Sequence, residues 1–279
     1  MKAAKCYSSC PTPTTLTRAV NTDSVDRTGP RDGAPPLNIA LCILAKNEEA
    51  CLREILPRLP SPGPAAGYDS IWGLDGHSTD ATASLFEERG IEVIQQTEPY
   101  RTGAMRDAID HIDCDAFIFF SPDGNEEAAD IPKFRRLLED GVDLAIASRF
   151  LPGGVNEEDV NVLRWRKWAS SGFTLAANAL FKQTGPYVTD TSNGLRAITK
   201  DAAKKLELEV ENFTAEFQMT IQALKMGLRI EEFPTAEGHR IAGDTTAPSI
   251  ATGLSFVRCL LREFTRPRVK VALVGNDEN

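Results

Sequence analysis

From Leu37 onward, apolar and polar positions fall into two alternating rhythms. Near-continuous apolar runs predict strands over Leu37–Ala45, Tyr68–Leu74, Ile91–Ile94, Ala116–Phe120 and Val142–Ser148. Between them, apolar residues recur every three or four positions. That spacing predicts helices over Glu48–Leu59, Thr79–Arg89 with Ser78 as its N-cap, Gly103–His111 and Ile131–Glu139. The second half is less regular. A long helix is expected over Val160–Phe181, opening on the basic, aromatic stretch Arg164-Trp165-Arg166-Lys167-Trp168. The loop Thr189–Gly194, strand Leu195–Thr199, helix Ala215–Lys225 and strand Arg229–Pro234 follow. A last helix, Ile250–Phe264, carries Leu254, Val257, Leu260, Leu261 and Phe264 on one face, which we read as packing into the core.

Apolar strands alternating with amphipathic helices imply βαβ units, hence an α/β fold with a mostly parallel central sheet flanked by helices. Residues 37–265 are expected to form one domain. The first 36 residues, rich in Thr, Ser, Pro and Gly, read as a disordered leader, and residues 266–279 as a short tail. In parallel sheets, ligands bind beyond the carboxyl ends of the strands. Three polar loops follow apolar strands here: Lys46-Asn47-Glu48, Asp75-Gly76-His77-Ser78 and Ser121-Pro122-Asp123-Gly124-Asn125. Taken singly, each is an ordinary turn or helix start, and Asp80 has the position of a structural acid at a helix start. Together they mark one edge as a candidate site.

Composition narrows the classes. A net charge of −9 argues against a general nucleic-acid binder, which needs a surplus of Lys and Arg. Six cysteines (Cys6, Cys10, Cys42, Cys51, Cys114, Cys259) form no CxxC pair, which fits a reducing, cytoplasmic setting. The three histidines are too far apart for a zinc site, and no apolar run reaches the roughly 20 residues of a membrane span. Asp123 and Asn125 lie two apart across a glycine, so both oxygens can turn to one hard cation, Mg2+ or Mn2+. Such a cation neutralises a leaving diphosphate.

The run ILAKNEE, then GLDGHSTDAT, SPDGN and ASRF resembles family-two glycosyltransferases over roughly residues 37–240. The resemblance implies a nucleotide-diphospho-sugar transferase (GT-A) fold and inverting transfer of a hexose. It implies contacts to the nucleotide of a GDP- or UDP-sugar from Ala45, Asn47, Glu48 and Asp75, and a metal–diphosphate motif at Asp123 and Asn125. Ser121 departs from the family, standing where its first motif aspartate is usual. Ser148-Arg149-Phe150, Arg166–Ser170, Asp190–Arg196, Glu232-Phe233-Pro234 and Arg240 are similar to dolichol-phosphate mannose synthases and related polyprenyl-phosphate glycosyltransferases.

That narrower resemblance implies a polyprenyl phosphate acceptor held by Arg149, Arg166, Ser170 and Arg240, with peripheral contact at the cytosolic membrane face. There the last helix, helped by Arg266, Arg268 and Lys270, would meet the lipid, the alternative to core packing. The subgroup's Gly-Glu-Ser-Lys-like stretch is replaced by Gly243-Asp244-Thr245-Thr246. A phosphate acceptor is already ionised and needs no strong base, whereas a hydroxyl acceptor does, and Glu216 is the candidate base. Two alternatives stay open: transfer to a soluble hydroxyl acceptor, and a non-catalytic nucleotide-sugar-binding protein.

Overall fold

In a computed structural model, a seven-stranded sheet runs through the chain in the order β3-β2-β1-β4-β6-β5-β7. The structure describes residues 36–156, 165–211, 213–242 and 249–267, with backbone alone at 165, 166, 249 and 250. The expected leader, the tail beyond residue 267, the helix start at 160–164 and the stretch Gly243–Thr246 lie outside the described residues. The strands are β1 (Ile39–Ala45), β2 (Ser70–Asp75), β3 (Glu92–Gln95), β4 (Ala116–Phe120), β5 (Leu144–Ser148), β6 (Arg196–Thr199) and β7 (Ile230–Pro234). β6 runs antiparallel to both β4 and β5, and the remaining pairings are parallel.

Period-two alternation divides the core between the two faces of the sheet. Ala40, Cys42, Leu44, Phe117 and Phe119 pack against α3 (Tyr100–His111), α5 (Trp165–Phe181), α7 (Ala215–Met226) and α8 (Ser249–Thr265). Leu41, Ile43, Ile118 and Phe120 pack against α1 (Glu49–Ile55), α2 (Thr82–Glu87) and α4 (Ile131–Glu139). Both faces of the inner strands are covered, which is why their sequences read as unbroken apolar runs.

β4 and α4 match expectation residue for residue, and the other departures have local causes. α1 stops at Ile55 and tightens into a 3-10 turn over Leu56–Arg58, because Pro57 has no N–H to continue the ladder. Ser78 does not cap α2, which begins at Thr82 after Ala81 with no side-chain cap. Its N–H and hydroxyl are spent on the neighbouring loops instead, and Asp80 accepts the Thr82 N–H at 3.0 Å. A short helix, α6 (Lys200–Ala203), capped by Thr199, was not expected.

The largest correction concerns α8. Of the five residues expected to enter the core, only Leu260 packs against it, half-buried; Leu254 and Val257 are exposed, Leu261 is 64% exposed and Phe264 66%. Phe256, Cys259 and Glu263 turn inward. Phe256 stacks on Phe217 of α7, with ring centroids 4.4 Å apart. Glu263 accepts hydrogen bonds from Gln218 and Gln222, each at 2.9 Å, and an ion pair from Lys225 at 3.2 Å. Three buried donors on α7 require an acceptor, and Glu263 supplies it, which fixes the helix rotation against its apolar stripe. Burial alone raises the Glu263 carboxyl, but these partners outweigh it and hold it below its ordinary value.

Candidate active site

Parallel register brings the three polar loops together. Ala45 pairs with Asp75 across β1 and β2, and Ile43 with Phe120 across β1 and β4, so β1 and β2 end level and β4 ends two residues short of them at the same edge. The first two loops are tied to each other. The Asn47 N–H donates to Ser78 Oγ at 2.8 Å, and the Thr79 N–H donates to Asn47 Oδ1 at 2.8 Å. Asn47 adopts φ 55°, a left-handed conformation that asparagine tolerates better than most residues. Asp75 is buried and accepts the Ser78 N–H, at 3.1 Å to the nearer oxygen. The Glu48 carboxyl sits 3.8 Å from Arg240 and is raised by burial, with Asp123 adding to the rise.

The third loop is a tight turn. Asp123 Oδ1 accepts the Asn125 N–H at 3.0 Å, an Asx turn, while Oδ2 lies 3.3 Å from Arg240 Nη1. Gly124 has φ +93° and lies directly under the 238–241 segment. A Cβ there would stand 2.7 Å from Ile241 and 3.0 Å from the His239 carbonyl. Two backbone bonds, Gly238 N–H to Asn125 O and Ile241 N–H to Asp123 O, each 2.9 Å, pin that segment over the turn. Arg240 is thereby brought to Asp123 and Glu48.

The turn opens into a cavity of about 400 Å³, lined at its floor by Ser121, Asp123, Asn125 and Glu126 and at its rim by α5 and α8. Arg101 and Glu216, 115 positions apart in sequence, meet there, with Arg101 Nε donating to Glu216 Oε1 at 2.5 Å. Burial lowers the Arg101 guanidinium, but Glu216 and Glu126 outweigh it and leave it raised. Arg101 follows Tyr100, which is held at φ 68°, with its carbonyl accepting from Gln96 Nε2 at 2.7 Å. Glu126 reaches back to accept the Ser121 N–H at 2.6 Å. Burial pushes its carboxyl up to about 8, Arg101 opposing and Asp123 reinforcing the rise.

Arg149 also lines the cavity, but its guanidinium is engaged. Nε and Nη2 hold the two Asp190 oxygens at 2.8 and 3.0 Å, and Nη1 holds Glu237 at 3.0 Å. Burial lowers Arg149, yet Asp190 and Glu237 outweigh it and hold the charge firmly in place. Lys167, Ser170, Phe173, Thr252 and Phe256 complete the rim.

The structure therefore joins Glu48, Asp123 and Arg240 in one cluster, and places Arg149, Ser170 and Glu216 around one cavity with Asp123 and Asn125. Arg240 is not among the residues that line this cavity. The side chain of Arg166 lies outside the described residues. Sequence reasoning missed Arg101 and Glu126. Glu126 had a signal, an acid directly after Asn125; Arg101 had none, since its partner lies far along the chain. Among the described residues, no three His, Cys, Asp or Glu side chains form a ready metal cage. A hard cation still suits Asp123 and Asn125, because Asn125 Oδ1 is a buried oxygen with no hydrogen-bond donor.

The mostly parallel sheet with one reversed strand, and polar loops at its carboxyl edge, define a GT-A glycosyltransferase fold. Residues 40–205 match the family Glycosyl transferase family 2, and the chain belongs to it. It is 26% identical over 219 residues to glycosyltransferase AglJ of Haloferax volcanii, covering 76% of this chain and 67% of that protein. It is 26% identical over 234 residues to a dolichyl-phosphate hexose transferase of the same organism, covering 82% and 96%. A crystal structure of Mycobacterium tuberculosis glucosyl-3-phosphoglycerate synthase with Mn2+, UDP and glucosyl-3-phosphoglycerate superposes with a TM-score of 0.62. The identity there is 18%, over 83% of this chain and 81% of that one.

Proposed function

We propose that this glycosyltransferase moves a hexose from a nucleoside-diphosphate sugar to a polyprenyl phosphate, with Mg2+ or Mn2+ at Asp123 and Asn125. The observation that carries the acceptor is the route out of the cavity. Its lining includes Ala169, Ser170 and Phe173 of α5 and Thr252, Gly253 and Phe256 of α8. The same two helices turn Trp168, Leu175, Leu254, Val257, Leu261 and Phe264 outward. A charged floor opening between two helices with exposed apolar faces suits an acceptor with an ionic head and a hydrocarbon tail. No described helix is long and apolar enough to cross a membrane, so contact with lipid would be made by such faces.

In this reading Ala45, Asn47, Glu48 and Asp75 hold the nucleoside at the ends of β1 and β2. A cation at Asp123 and Asn125 offsets the charge of the departing nucleoside diphosphate. Arg240, held over the same turn, adds a guanidinium to the diphosphate. Lys167 and Ser170 receive the acceptor phosphate, and Arg149 joins them where that phosphate displaces Glu237, leaving Asp190 in place. The acceptor oxygen is ionised and attacks without a strong base. Glu216 is a poor base in the observed geometry, because Arg101 already occupies Oε1.

The test is a screen of radiolabelled GDP- and UDP-sugars against a polyprenyl phosphate and against soluble phosphate and hydroxyl acceptors, with Mn2+ or Mg2+. Label in the lipid phase, lost on chelation and reduced about a thousandfold by Asp123→Asn, supports the reading. No lipid label with any donor, alongside transfer to a water-soluble acceptor, overturns the acceptor assignment.

A further inference from the structure

We propose that Glu126 supplies the negative charge of the cation–diphosphate site that Ser121 does not carry, an inference that rests on the metal-assisted reading above. The chain places the Glu126 carboxylate at residue 121 itself. Oε2 accepts the Ser121 main-chain N–H at 2.6 Å, so the turn folds back until the carboxylate of 126 touches the backbone of 121. Both residues line the cavity floor beside Asp123.

This carboxylate is buried and only half compensated. Its side chain is 8% exposed, and its nearest cation, Arg101 Nη2, stands 3.9 Å away with no hydrogen bond between them. Arg101 has its closest contact elsewhere, with Glu216. Around the floor, ion pairs join four carboxylates (Glu48, Asp123, Glu126, Glu216) to two guanidiniums, Arg101 and Arg240. By these pairs carboxylates outnumber guanidiniums, with buried Arg196 as a further nearby cation, and a divalent cation would favour the ionised form of Glu126. Burying charge without compensation is costly, and a diphosphate entering alone would worsen the repulsion. The neighbouring Asn125 Oδ1, buried and without a donor, is a second acceptor at the same floor. The fold also reserves room for the carboxylate: a Cβ at Gly194 would strike both Glu126 Oε1 and Arg101 Nη2.

The experiment is a double-mutant cycle of the full chain, Glu126→Gln, Ser121→Asp and both together, read as the gain in GDP and UDP affinity on adding Mn2+, by calorimetry. Glutamine keeps an oxygen for the Ser121 N–H, and thermal unfolding of each variant checks the fold. Glu126→Gln is expected to reduce the Mn2+-dependent gain by about tenfold or more. Ser121→Asp should restore it when combined with Glu126→Gln, and change it less than about twofold in the otherwise wild-type chain. An undiminished gain in Glu126→Gln, or equal tightening by Ser121→Asp in both backgrounds, overturns the proposal. Should Glu126→Gln fail to fold, Ser121→Asp alone decides: tightening of about tenfold refutes it, under about twofold supports it. A wild-type chain that binds nucleotide with no Mn2+ gain refutes both this proposal and the metal reading. Binding of neither nucleotide refutes the donor assignment as well.

Discussion

The edge formed by β1, β2 and β4 and the wall formed by β5, the 189–193 loop and β7 are both dense in polar groups, yet they are held in different ways. At the edge, loops following parallel strands are tied by single hydrogen bonds between backbone and short side chains, as between Asn47 and Ser78. In the wall, one half-buried guanidinium carries the assembly. Arg149 clamps Asp190, Asp190 accepts the Asn193 N–H at 3.1 Å, and Glu232 of β7 accepts the Thr189 and Asp190 N–H groups at 2.7 and 2.8 Å. Loss of one bond at the edge leaves exposed groups for water to satisfy. Loss of one partner in the wall leaves a half-buried charge short of its match. The same kind of substitution should therefore have very different costs in the two regions.

The largest effect expected is that of Asp190→Ala. It strips Arg149 of its bidentate partner at a fully buried position and should cost about 3–5 kcal/mol of stability, measured by urea unfolding. The loss should depend on pH. Burial raises the Asp190 carboxyl, but Arg149 outweighs burial and holds it below its ordinary value. A depressed carboxylate contributes stability above its unfolded value, about 3.9, and loses it as pH falls through the lower folded value. Wild type and variant should thus differ most near neutrality and converge in acid. A difference that does not narrow in acid would show that Asp190 acts by packing rather than by charge, and would erase the contrast between the regions.

The contrast also explains what could be read from the chain. Strand ends are local: the apolar run of β4 stops at Phe120, and the polar turn that follows must lie at the sheet edge. Asp123 and Asn125 were legible for that reason. The wall is built from partners 41 and 88 positions apart, Arg149 with Asp190 and with Glu237, and no short window contains both ends. Arg149 therefore reads in sequence as a free phosphate ligand, when its charge is already matched. α8 misled differently. Its apolar spacing is sound helix patterning, but the rotation is decided by Gln218, Gln222 and Lys225 on α7, which demand Glu263 inside. Periodicity gives the face of a helix that is apolar; it does not say that this face meets protein.

A middle-sized effect is expected at α8, which packs on α5 and α7. Changing Leu261→Glu and Phe264→Glu together places charge on residues that already face solvent, so stability should shift by no more than about 0.5 kcal/mol. Binding to sedimented vesicles containing anionic lipid should fall by about tenfold or more, since each apolar side chain buried in lipid contributes about 1.5–3 kcal/mol. Equal sedimentation of the variant and wild type would remove lipid from the account of this face. A large loss of stability would mean that the stripe is covered by protein after all.

The smallest effect belongs to the edge. Ser78→Ala removes the acceptor of the Asn47 N–H and leaves the rest of that loop in place. Asn47 is exposed, so water can replace the hydroxyl, and the cost should be about 1 kcal/mol or less. The two loops remain joined through Asn47 Oδ1 and the Thr79 N–H, so the change should stay local. Amide exchange should quicken at residues 47–48 and 78–79, with no change at Asp190 or Asn193. Exchange that also quickens in the 189–193 loop would mean that the edge and the wall open together as one unit. In that case the two regions would have to be treated as a single coupled unit.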